Sequence, residues 1–436
     1  MSTKSSIPRN VVVLGIVSLF TDAATEMIYP LLPLFIATLG SGAIMLGIIE
    51  GVAETTASLL KLASGIISDK LGKRKTLVVI GYSISSFTRP LIGIVSDAWQ
   101  IAIIRTMDRV GKGIRTSPRD ALIASSVSHD IRGKAYGFHR AMDHTGAVIG
   151  PVLCIVTLAV LILFFGMTDL SAILRTIFLL SIIPGALALL TLVLFVQENT
   201  DGLKSGSGFS FMLRSYDRNF KSFLFIIAFF TLGNSSDAFM LFRIQEAMRE
   251  SSTLRDIIMS VPLLNTMVNS FTDEHVQKQF ANILFLPLVW SFFHIIKTLF
   301  STPLGSLSDR IGRKLVITIG WGLYAFVYLG FAFLDSLPEG WQIVATFILF
   351  SLYAVYYAFT EGAEKAFVAD AVAPHLRGSA FGMYNFAIGI AALPASIAFG
   401  IIYNAFGGTA AFGMGACISF ISMILLTFLV HEPRQK

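Results

Sequence analysis

Long apolar segments alternate with short polar loops along almost the whole chain. Each segment is long enough for a helix of roughly 20 residues, the length that crosses a hydrocarbon layer ~30 Å thick. The pattern therefore predicts an all-α membrane protein with twelve membrane-spanning helices. Their predicted limits are 11–37, 43–68, 76–96, 98–119, 134–165, 171–196, 222–247, 281–307, 315–335, 341–364, 379–405 and 409–430.

The composition excludes a water-soluble globular protein. Of the 436 residues, 54% are hydrophobic and only 14% are charged, so the chain could not cover an apolar core with a polar surface. The first apolar segment contains Asp22 and Glu26, which favours a retained helix over a cleaved signal peptide. Cys154 and Cys417 lie in apolar segments, which leaves no disulfide framework.

Basic residues are distributed unequally between the loops on the two sides of the membrane. The loops on the side of the N-terminus carry most of the loop Lys and Arg, which predicts that both termini are cytoplasmic. The net charge of +6 is then a topological signal and indicates no nucleic-acid partner. Short tails and a compact central loop favour a bacterial inner membrane.

Two motifs occur twice at nearly the same offset. The sequence GIISDKLGKRK ends helix 2 at residues 65–75, and GSLSDRIGRK ends helix 8 at residues 305–314. DIRGKAYGF at 130–138 precedes helix 5, and HLRGSAFGM at 375–383 precedes helix 11. This repetition predicts two six-helix bundles, at residues 1–197 and 222–436, joined by a cytoplasmic linker at 198–221. Paired repeats are typical of transporters with a substrate site between the halves.

The repeated motif resembles a signature of the major facilitator superfamily, G-x-L-a-D-[RK]-x-G-[RK]-[RK], and the resemblance covers essentially the whole chain. It implies a transporter fold of two pseudo-symmetric bundles, in which these loops form a conformational latch. The alternative is that they only anchor the chain to anionic lipid. The matching residues are Gly65, Asp69, Lys70, Gly72, Lys73 and Arg74, and then Gly305, Asp309, Arg310, Gly312, Arg313 and Lys314.

Helix 5 carries a second partial resemblance. Gly137, Gly146, Gly150 and Pro151 match G-x8-G-x3-G-P, which resembles the antiporter signature of the twelve-helix drug:proton antiporters. The match ends there, because Cys154 and Ile155 stand where that group has glycines. Small residues at this spacing predict close packing against helix 8. Ordinary helix packing, without a role in antiport, is the alternative.

Charged residues inside the helices are candidates for proton coupling. Each costs roughly 2.5–3.5 kcal/mol at the centre of a bilayer, so these side chains must face water or form pairs. Asp22 and Glu26 are the preferred titrating groups, and Glu50 and Glu54 are the alternates. The resemblance places a functional Arg in helix 4 at Arg105, although Asp108 and Arg109 depart from the family pattern and leave a register centred on Arg109 open.

The same reasoning predicts which side chains face the substrate. For single charges, the alternative is a structural ion pair, and this reading is preferred for Lys61, Arg115, Arg119, Glu364 and Lys365. The scattered histidines indicate no metal site. The predicted substrate-cavity residues are Tyr29, Lys112, Arg140, Asp143, Asn234, Asp237, His294, Lys297, Tyr357 and Glu361.

The segment between helices 7 and 8, residues 249–280, is long for this chain and apolar enough to contain a short helix. It is interpreted either as a lid or as an insertion without a mechanistic role.

These features predict a secondary active transporter, not an enzyme, that acts as a monomer without a cofactor and uses the proton gradient. Export of a small organic compound by antiport is the first hypothesis. Proton-coupled import of a metabolite or a siderophore-like metal chelate is the second. A membrane receptor or an enzyme on the same scaffold is the least favoured.

Overall fold

A computed structural model describes residues 7–71, 73–126, 132–198, 216–372 and 377–432, and nearly all of them are helical. The described residues include twelve membrane helices, labelled in chain order. They are α1 (Arg9–Thr38), α2 (Ala43–Leu71), α3 (Arg74–Ile94), α4 (Ala98–Ser125), α5 (Arg132–Leu163), α6 (Leu170–Phe195), α7 (Arg218–Ala247), α8 (Glu274–Ile311), α9 (Arg313–Ala332), α10 (Glu339–Asp370), α11 (377–406) and α12 (408–429).

By length and hydropathy, ten apolar helical stretches in the described residues could cross a membrane, two fewer than the twelve membrane helices. The last of them, Ala380–Leu429, contains two crossings, because Gly407 has φ +82° and breaks the helix. The other helix is α4, whose many charged residues lower its hydropathy. The structure thus agrees with the predicted twelve helices.

Successive helices run in opposite directions, so α1 begins on the same side as α12 ends. We call this side the terminal face and the opposite side the distal face. Large aromatic side chains, including Trp99, Phe164, Phe165 and Trp341, are exposed near the distal ends of helices. Such a girdle is typical of a membrane–water interface.

The two halves share an apolar core on the distal side. Phe35 and Leu46 of the first half belong to the same buried cluster as Phe239 and Phe399 of the second. Close helix contacts accompany this core: a Cβ atom at Gly47 of α2 would overlap the carbonyl of Ser396 in α11. Toward the terminal face, the first half has a separate core. Its members include Val11, Leu14, Val17, Val78, Tyr82, Leu122 and Leu192. The halves are therefore joined distally and diverge toward the terminal face.

Gly146 and Gly150 of α5 pack against α1, which corrects the prediction that they pack against helix 8. A Cβ atom at Gly150 would lie 2.7 Å from the backbone nitrogen of Met27, and one at Gly146 would overlap the carbonyl of Leu19. Helix α8 also contacts α5, where the Ser291 hydroxyl donates to the Val148 carbonyl at 3.4 Å. Glycine at positions 146 and 150 thus allows the α1 backbone to approach α5 closely.

We expect Gly150→Val to destabilise the protein, because the added methyl groups would push α5 away from α1. Overpacking of this kind costs about 1–3 kcal/mol. Thermal unfolding of purified protein in detergent would measure the effect. Gly413→Val is the matched control, since a Cβ atom at Gly413 meets no atom within 4 Å. Equal unfolding temperatures for the two variants would contradict the proposed contact.

Candidate functional site

A cavity of about 470 Å³ lies between the two halves at mid-depth. Its wall reaches water: Glu54 lies eleven residues into α2, about 16 Å from the distal end, and its side chain is still 46% exposed. Because the distal side is closed by the shared core, the cavity faces the terminal side. The lining includes Asp22, Thr25, Glu26, Tyr29, Glu50, Glu54, Asp108, Arg109, Lys112, Arg115, Asn234, Ser236, Asp237, Trp290, Phe293, His294, Lys297, Tyr356, Tyr357 and Glu364.

Tight ion pairs hold the first half together in the cavity wall and directly behind it. The Arg105 guanidinium lies 2.8 Å from Glu50 and 3.7 Å from Asp108, and Arg89 lies 2.9 Å from Asp108. Arg105 therefore pairs with an alternate acid, Glu50, and not with the preferred Asp22 or Glu26. The packing of α2 against α4 decides this, because it places the two side chains at the same depth.

Arg89 is a member of this network that the sequence analysis did not single out. Its side chain is buried, and besides the pair with Asp108 it approaches the Thr21 carbonyl at 3.5 Å. The available signal was a single charge beside Pro90 inside the apolar segment 76–96. A lone Arg in such a segment needs a buried partner.

Acids of the first half are hydrogen-bonded to the second half. The Trp290 indole N–H donates to Glu26 Oε2 at 2.7 Å, and His294 Nε2 lies 3.9 Å from the same oxygen. The Ser236 hydroxyl donates to Glu50 Oε2 at 3.0 Å. Glu26 and Glu50 thus contact both halves across the cavity, so movement of one half relative to the other would change their surroundings.

Asp22 and Glu54 have looser surroundings. Asp22 lines the cavity, and within the described residues its carboxylate has no hydrogen-bond or ion-pair partner. Glu54 Oε2 lies 4.0 Å from Arg109 Nε. Lys112, one helical turn from Arg109, lines the same wall. The predicted coupling residues therefore divide into a tightly paired group and a loosely held group, and both contribute to the cavity lining.

The second half contributes a wall of tyrosines around Asp237. The hydroxyls of Tyr353 and Tyr357 donate to Asp237 Oδ1 at 2.5 and 3.1 Å. Asn234 accepts from Tyr324 at 3.1 Å. The Lys297 ammonium lies 4.2 Å from the centre of the Tyr357 ring, a cation–π contact.

Of the ten predicted substrate-cavity residues, Arg140, Asp143 and Glu361 lie outside the lining. They form charge contacts at its terminal edge, where Glu361 lies 3.5 Å from both Arg140 and Lys297 and 4.0 Å from Lys365. The Arg140 contact crosses between the halves. Asp143 lies 3.6 Å from His139. The residues of this prediction that do line the cavity are Tyr29, Lys112, Asn234, Asp237, His294, Lys297 and Tyr357.

Glu364 differs from the expected structural ion pair. It lines the cavity, and it accepts hydrogen bonds from the Trp321 indole at 3.0 Å and from the Tyr384 hydroxyl at 2.6 Å. Arg115 differs as well, since its guanidinium donates to Ser85 Oγ and lies 4.4 Å from the Tyr82 ring centre. Arg119 forms the expected kind of pair, at 2.9 Å from Asp120. The described residues contain no group of three or more His, Cys, Asp or Glu placed to hold a metal ion.

The predicted latch lies partly outside the described residues. This applies to Gly72 and to the side-chain surroundings of Gly65, Asp69, Lys70, Gly305, Asp309 and Arg310; the surroundings of Gly137, in the antiporter-like motif of helix 5, are also outside the described part. The following residues are described, and they show a contact that occurs in both halves. Glu198 accepts from the backbone N–H groups of Arg74 and Lys75 at 3.1 and 2.8 Å. Glu432 accepts from those of Arg313 and Lys314 at 2.6 and 2.8 Å.

A second repeated contact adjoins each of these glutamates. The Asn10 side chain exchanges two hydrogen bonds, both at 2.9 Å, with the backbone of Gln197. Asn219 does the same with His431, at 2.9 and 2.7 Å. Each half therefore ties its last helix to its first and third helices at the terminal face. The sequence signal is the repeated Val-x-Glu at 196–198 and 430–432.

We expect Glu198→Ala and Glu432→Ala each to cost about 0.5–2 kcal/mol, because each removes a carboxylate that caps a helix N-terminus. Thermal unfolding in detergent would measure the loss. Glu250→Ala is the control, since Glu250 pairs with His275 on the exposed distal surface, where such pairs contribute little. Effects as small as the control's would show that the caps are dispensable.

The segment between α7 and α8 contains two short helices, Ser252–Met259 and Pro262–Val268. Thr253 Oγ1 donates to Glu339 at the start of α10 at 3.0 Å, and Arg255 pairs with Glu274 at the start of α8 at 2.9 Å. The second short helix contacts α5 of the first half, and its Met267 and Val268 are buried. We call residues 249–273 the distal strap, because it connects the two halves.

If the distal strap is a lid, replacing residues 252–268 by a Gly/Ser linker should expose the distal end of the cavity. We expect a cysteine introduced at Ile36, buried in the shared core, to react several-fold faster with an impermeant maleimide in a chain lacking Cys154 and Cys417. A cysteine at the exposed Ser336 provides the control for reagent access. Unchanged reactivity at position 36 would favour an insertion without a mechanistic role.

Comparison with known proteins agrees with this architecture. A sequence model of the Major Facilitator Superfamily matches residues 14–268 and 257–436. An uncharacterized MFS-type transporter of Methanocaldococcus jannaschii is 33% identical over 422 residues, which are 97% of this chain and 95% of that protein. A homologue of the multi-drug resistance efflux pump PmrA from Lactococcus lactis is 25% identical over 337 residues, 75% of this chain and 73% of its own.

Solved transporter structures show the same fold. A D-xylose–proton symporter superposes with a TM-score of 0.68 at 16% identity and covers 98% of both chains. The nucleoside transporter NupG superposes with a TM-score of 0.65 at 15% identity, over 96% of this chain and 98% of its own. These likenesses in fold, and the sequence matches along both halves, lead to one assignment. This chain belongs to the Major Facilitator Superfamily of membrane transporters.

Proposed function

We propose that this transporter is a proton-coupled exporter of a small organic compound that works by alternating access. The observation that carries the proposal is the pair of carboxylates, Glu26 and Glu50, that belong to the first half and accept hydrogen bonds from Trp290 and Ser236 of the second. The terminal face is taken as cytoplasmic, because its loops carry most of the loop Lys and Arg. The described arrangement is then the inward-facing state of a monomer in a bacterial inner membrane.

Proton coupling requires a titratable group whose contacts change when the halves move. The bond between Trp290 and Glu26 exists only while α8 lies against α1 at this depth. Protonation of Glu26 and the arrangement of the halves are therefore linked, and each must bias the other by the same free energy. Asp22, four residues earlier on α1, gives the proton a second acceptor that faces the cavity.

Export is supported by two observations. The relative from Lactococcus lactis is described as a homologue of a multi-drug resistance efflux pump, and Gly137, Gly146, Gly150 and Pro151 resemble the antiporter signature. The signature is incomplete at Cys154 and Ile155. This departure keeps proton-coupled import of a metabolite or chelate as the second candidate.

Flux in proteoliposomes would test the proposal. A thermal-shift screen of the purified protein against organic cations, organic acids and chelates would first select a ligand. Its transport is then followed under an imposed pH gradient. Accumulation against the direction of proton flow supports antiport, and accumulation with it supports import by symport. Flux that ignores the gradient would refute proton coupling, and binding without flux would refute transport.

A further inference from the structure

The ion pairs around the cavity differ in length. Arg105–Glu50 and Arg89–Asp108 are separated by 2.8 and 2.9 Å, the usual range for charge-assisted hydrogen bonds. Arg109 Nε lies farther from its partner, at 4.0 Å from Glu54, and no described acceptor forms a hydrogen bond with it. Nε of Arg89 and of Arg105 also lacks a described acceptor, but a carboxylate holds each of those guanidiniums at hydrogen-bond distance, whereas that of Arg109 keeps unused donor capacity.

Two further basic side chains in the wall have unused hydrogen-bonding positions. His294 is only 8% exposed, and neither of its ring nitrogens has a hydrogen-bond partner among the described residues. Lys112 has no ion pair or side-chain hydrogen bond to any described residue. Buried polar groups without partners are costly, so a bound molecule that supplies acceptors would stabilise this arrangement.

Most acids that face the cavity are, by contrast, already provided with donors. Glu26 accepts from Trp290 at 2.7 Å, Asp237 from Tyr353 at 2.5 Å, and Glu364 from Tyr384 at 2.6 Å. Asp22 and Glu54 are the exceptions, since neither accepts a hydrogen bond from a described residue, but Arg109, Lys112 and His294 surround the same space. A ligand that supplies hydrogen-bond acceptors would therefore satisfy the described wall better than one that supplies donors.

The basic groups come from both halves. Arg109 and Lys112 lie one turn apart on α4, and His294 and Lys297 lie one turn apart on α8. Residues at this spacing share a helix face. Aromatic rings lie beside them in the lining, among them Trp290, whose ring is 5.0 Å from that of Phe293. A ligand between the halves would thus meet hydrogen-bond donors from both halves and an apolar surface together.

We propose that the cavity selects an organic anion: a carboxylate held by Arg109 and Lys112 of the first half and by His294 of the second, with a ring system against Trp290 and Phe293. A cavity of about 470 Å³ accommodates a compound of this size. The inference rests on the proposed transport function, but it concerns recognition and holds for either direction of flux.

Three probes of one shape test the charge preference: 2-naphthoate, 2-naphthamide and 2-naphthylmethylammonium. Each is added to the purified full-length protein, and the unfolding temperature and the Kd are measured. We expect 2-naphthoate to stabilise the protein and to bind at least about tenfold more tightly than the other two. Equal binding of the amide, tighter binding of the ammonium, or no binding of 2-naphthoate would each overturn the proposal.

Variants from both halves locate the site. We expect Lys112→Gln and His294→Gln each to weaken 2-naphthoate binding at least about tenfold, while Lys75→Gln, at a half-buried residue of the terminal face outside the cavity lining, leaves it unchanged. If one variant fails to fold, the other decides, because the two residues lie on different halves. Unchanged affinity in a folded variant would refute the assignment. These equilibrium measurements need no pH gradient, so loss of gradient-driven flux with intact binding would refute only the coupling mechanism.

Discussion

Glu26→Gln is expected to abolish accumulation driven by a pH gradient while leaving exchange of bound compound across the membrane. The glutamine retains an oxygen that can accept from the Trp290 indole, which now lies 2.7 Å from Glu26, so the contact between the halves survives. It cannot take up or release a proton. We therefore expect gradient-driven accumulation to fall by about 10²-fold, since a side chain that transfers a proton typically contributes a factor of about 10²–10⁴ to the rate of the step it serves.

Two measurements on the same proteoliposomes separate coupling from folding and binding. Accumulation under a pH gradient reports coupling, and counterflow of labelled against unlabelled ligand without a gradient reports the intact transport cycle. Glu274→Gln is the matched control, because Glu274 lies on the distal surface with a 64% exposed side chain. Asp22→Asn is examined in parallel. If both Glu26→Gln and Asp22→Asn accumulate ligand like the unaltered protein, the proton-coupling assignment is wrong.

The helices were predictable because membrane thickness imposes their length. Apolar segments of the required length predicted all twelve membrane helices found in the described residues, including α4, which its charges hide from a hydropathy criterion. The depth of Glu26 and Glu50 was predictable for the same reason: position along a helix fixes depth. Both residues line the cavity.

The pairing of charges was not predictable, because it depends on which helices are neighbours. Asp22 and Glu26 were the preferred titrating groups, yet Arg105, which the resemblance marks as the functional Arg, pairs with the alternate Glu50. The contact of Gly113 in α4 with Ala57 and Leu60 in α2 brings these two helices together. Sequence periodicity gives the face of a helix but not the identity of the helix it meets.

The two halves share more contacts in the structure than their repeated sequence motifs reveal. The two basic loops are similar enough to recognise, whereas the capping glutamates Glu198 and Glu432 share only Val-x-Glu with each other. Their function needs one carboxylate at one position, so the surrounding residues are free to differ. A contact that depends on a single side chain leaves too short a signal to detect without the structure.

The largest loss of stability is expected from Arg105→Gln. The guanidinium is 2% exposed and lies 2.8 Å from Glu50 and 3.7 Å from Asp108. Removing it leaves Asp108 paired with Arg89 but leaves Glu50 with only the Ser236 hydroxyl as a described donor. An uncompensated buried charge costs about 3–5 kcal/mol, so we expect a markedly lower unfolding temperature in detergent.

A double-mutant cycle distinguishes this cause from simple loss of packing. If the unpaired Glu50 carboxylate causes the instability, Glu50→Gln in the Arg105→Gln background should restore much of the lost stability, because the remaining amide is neutral. Arg140→Gln serves as the control, since Arg140 is 52% exposed and its contacts are 3.5–3.7 Å long, which predicts a loss of about 0–1 kcal/mol. A double variant no more stable than Arg105→Gln alone would assign the loss to the missing side chain's packing, including its position 5.5 Å from the Tyr29 ring centre.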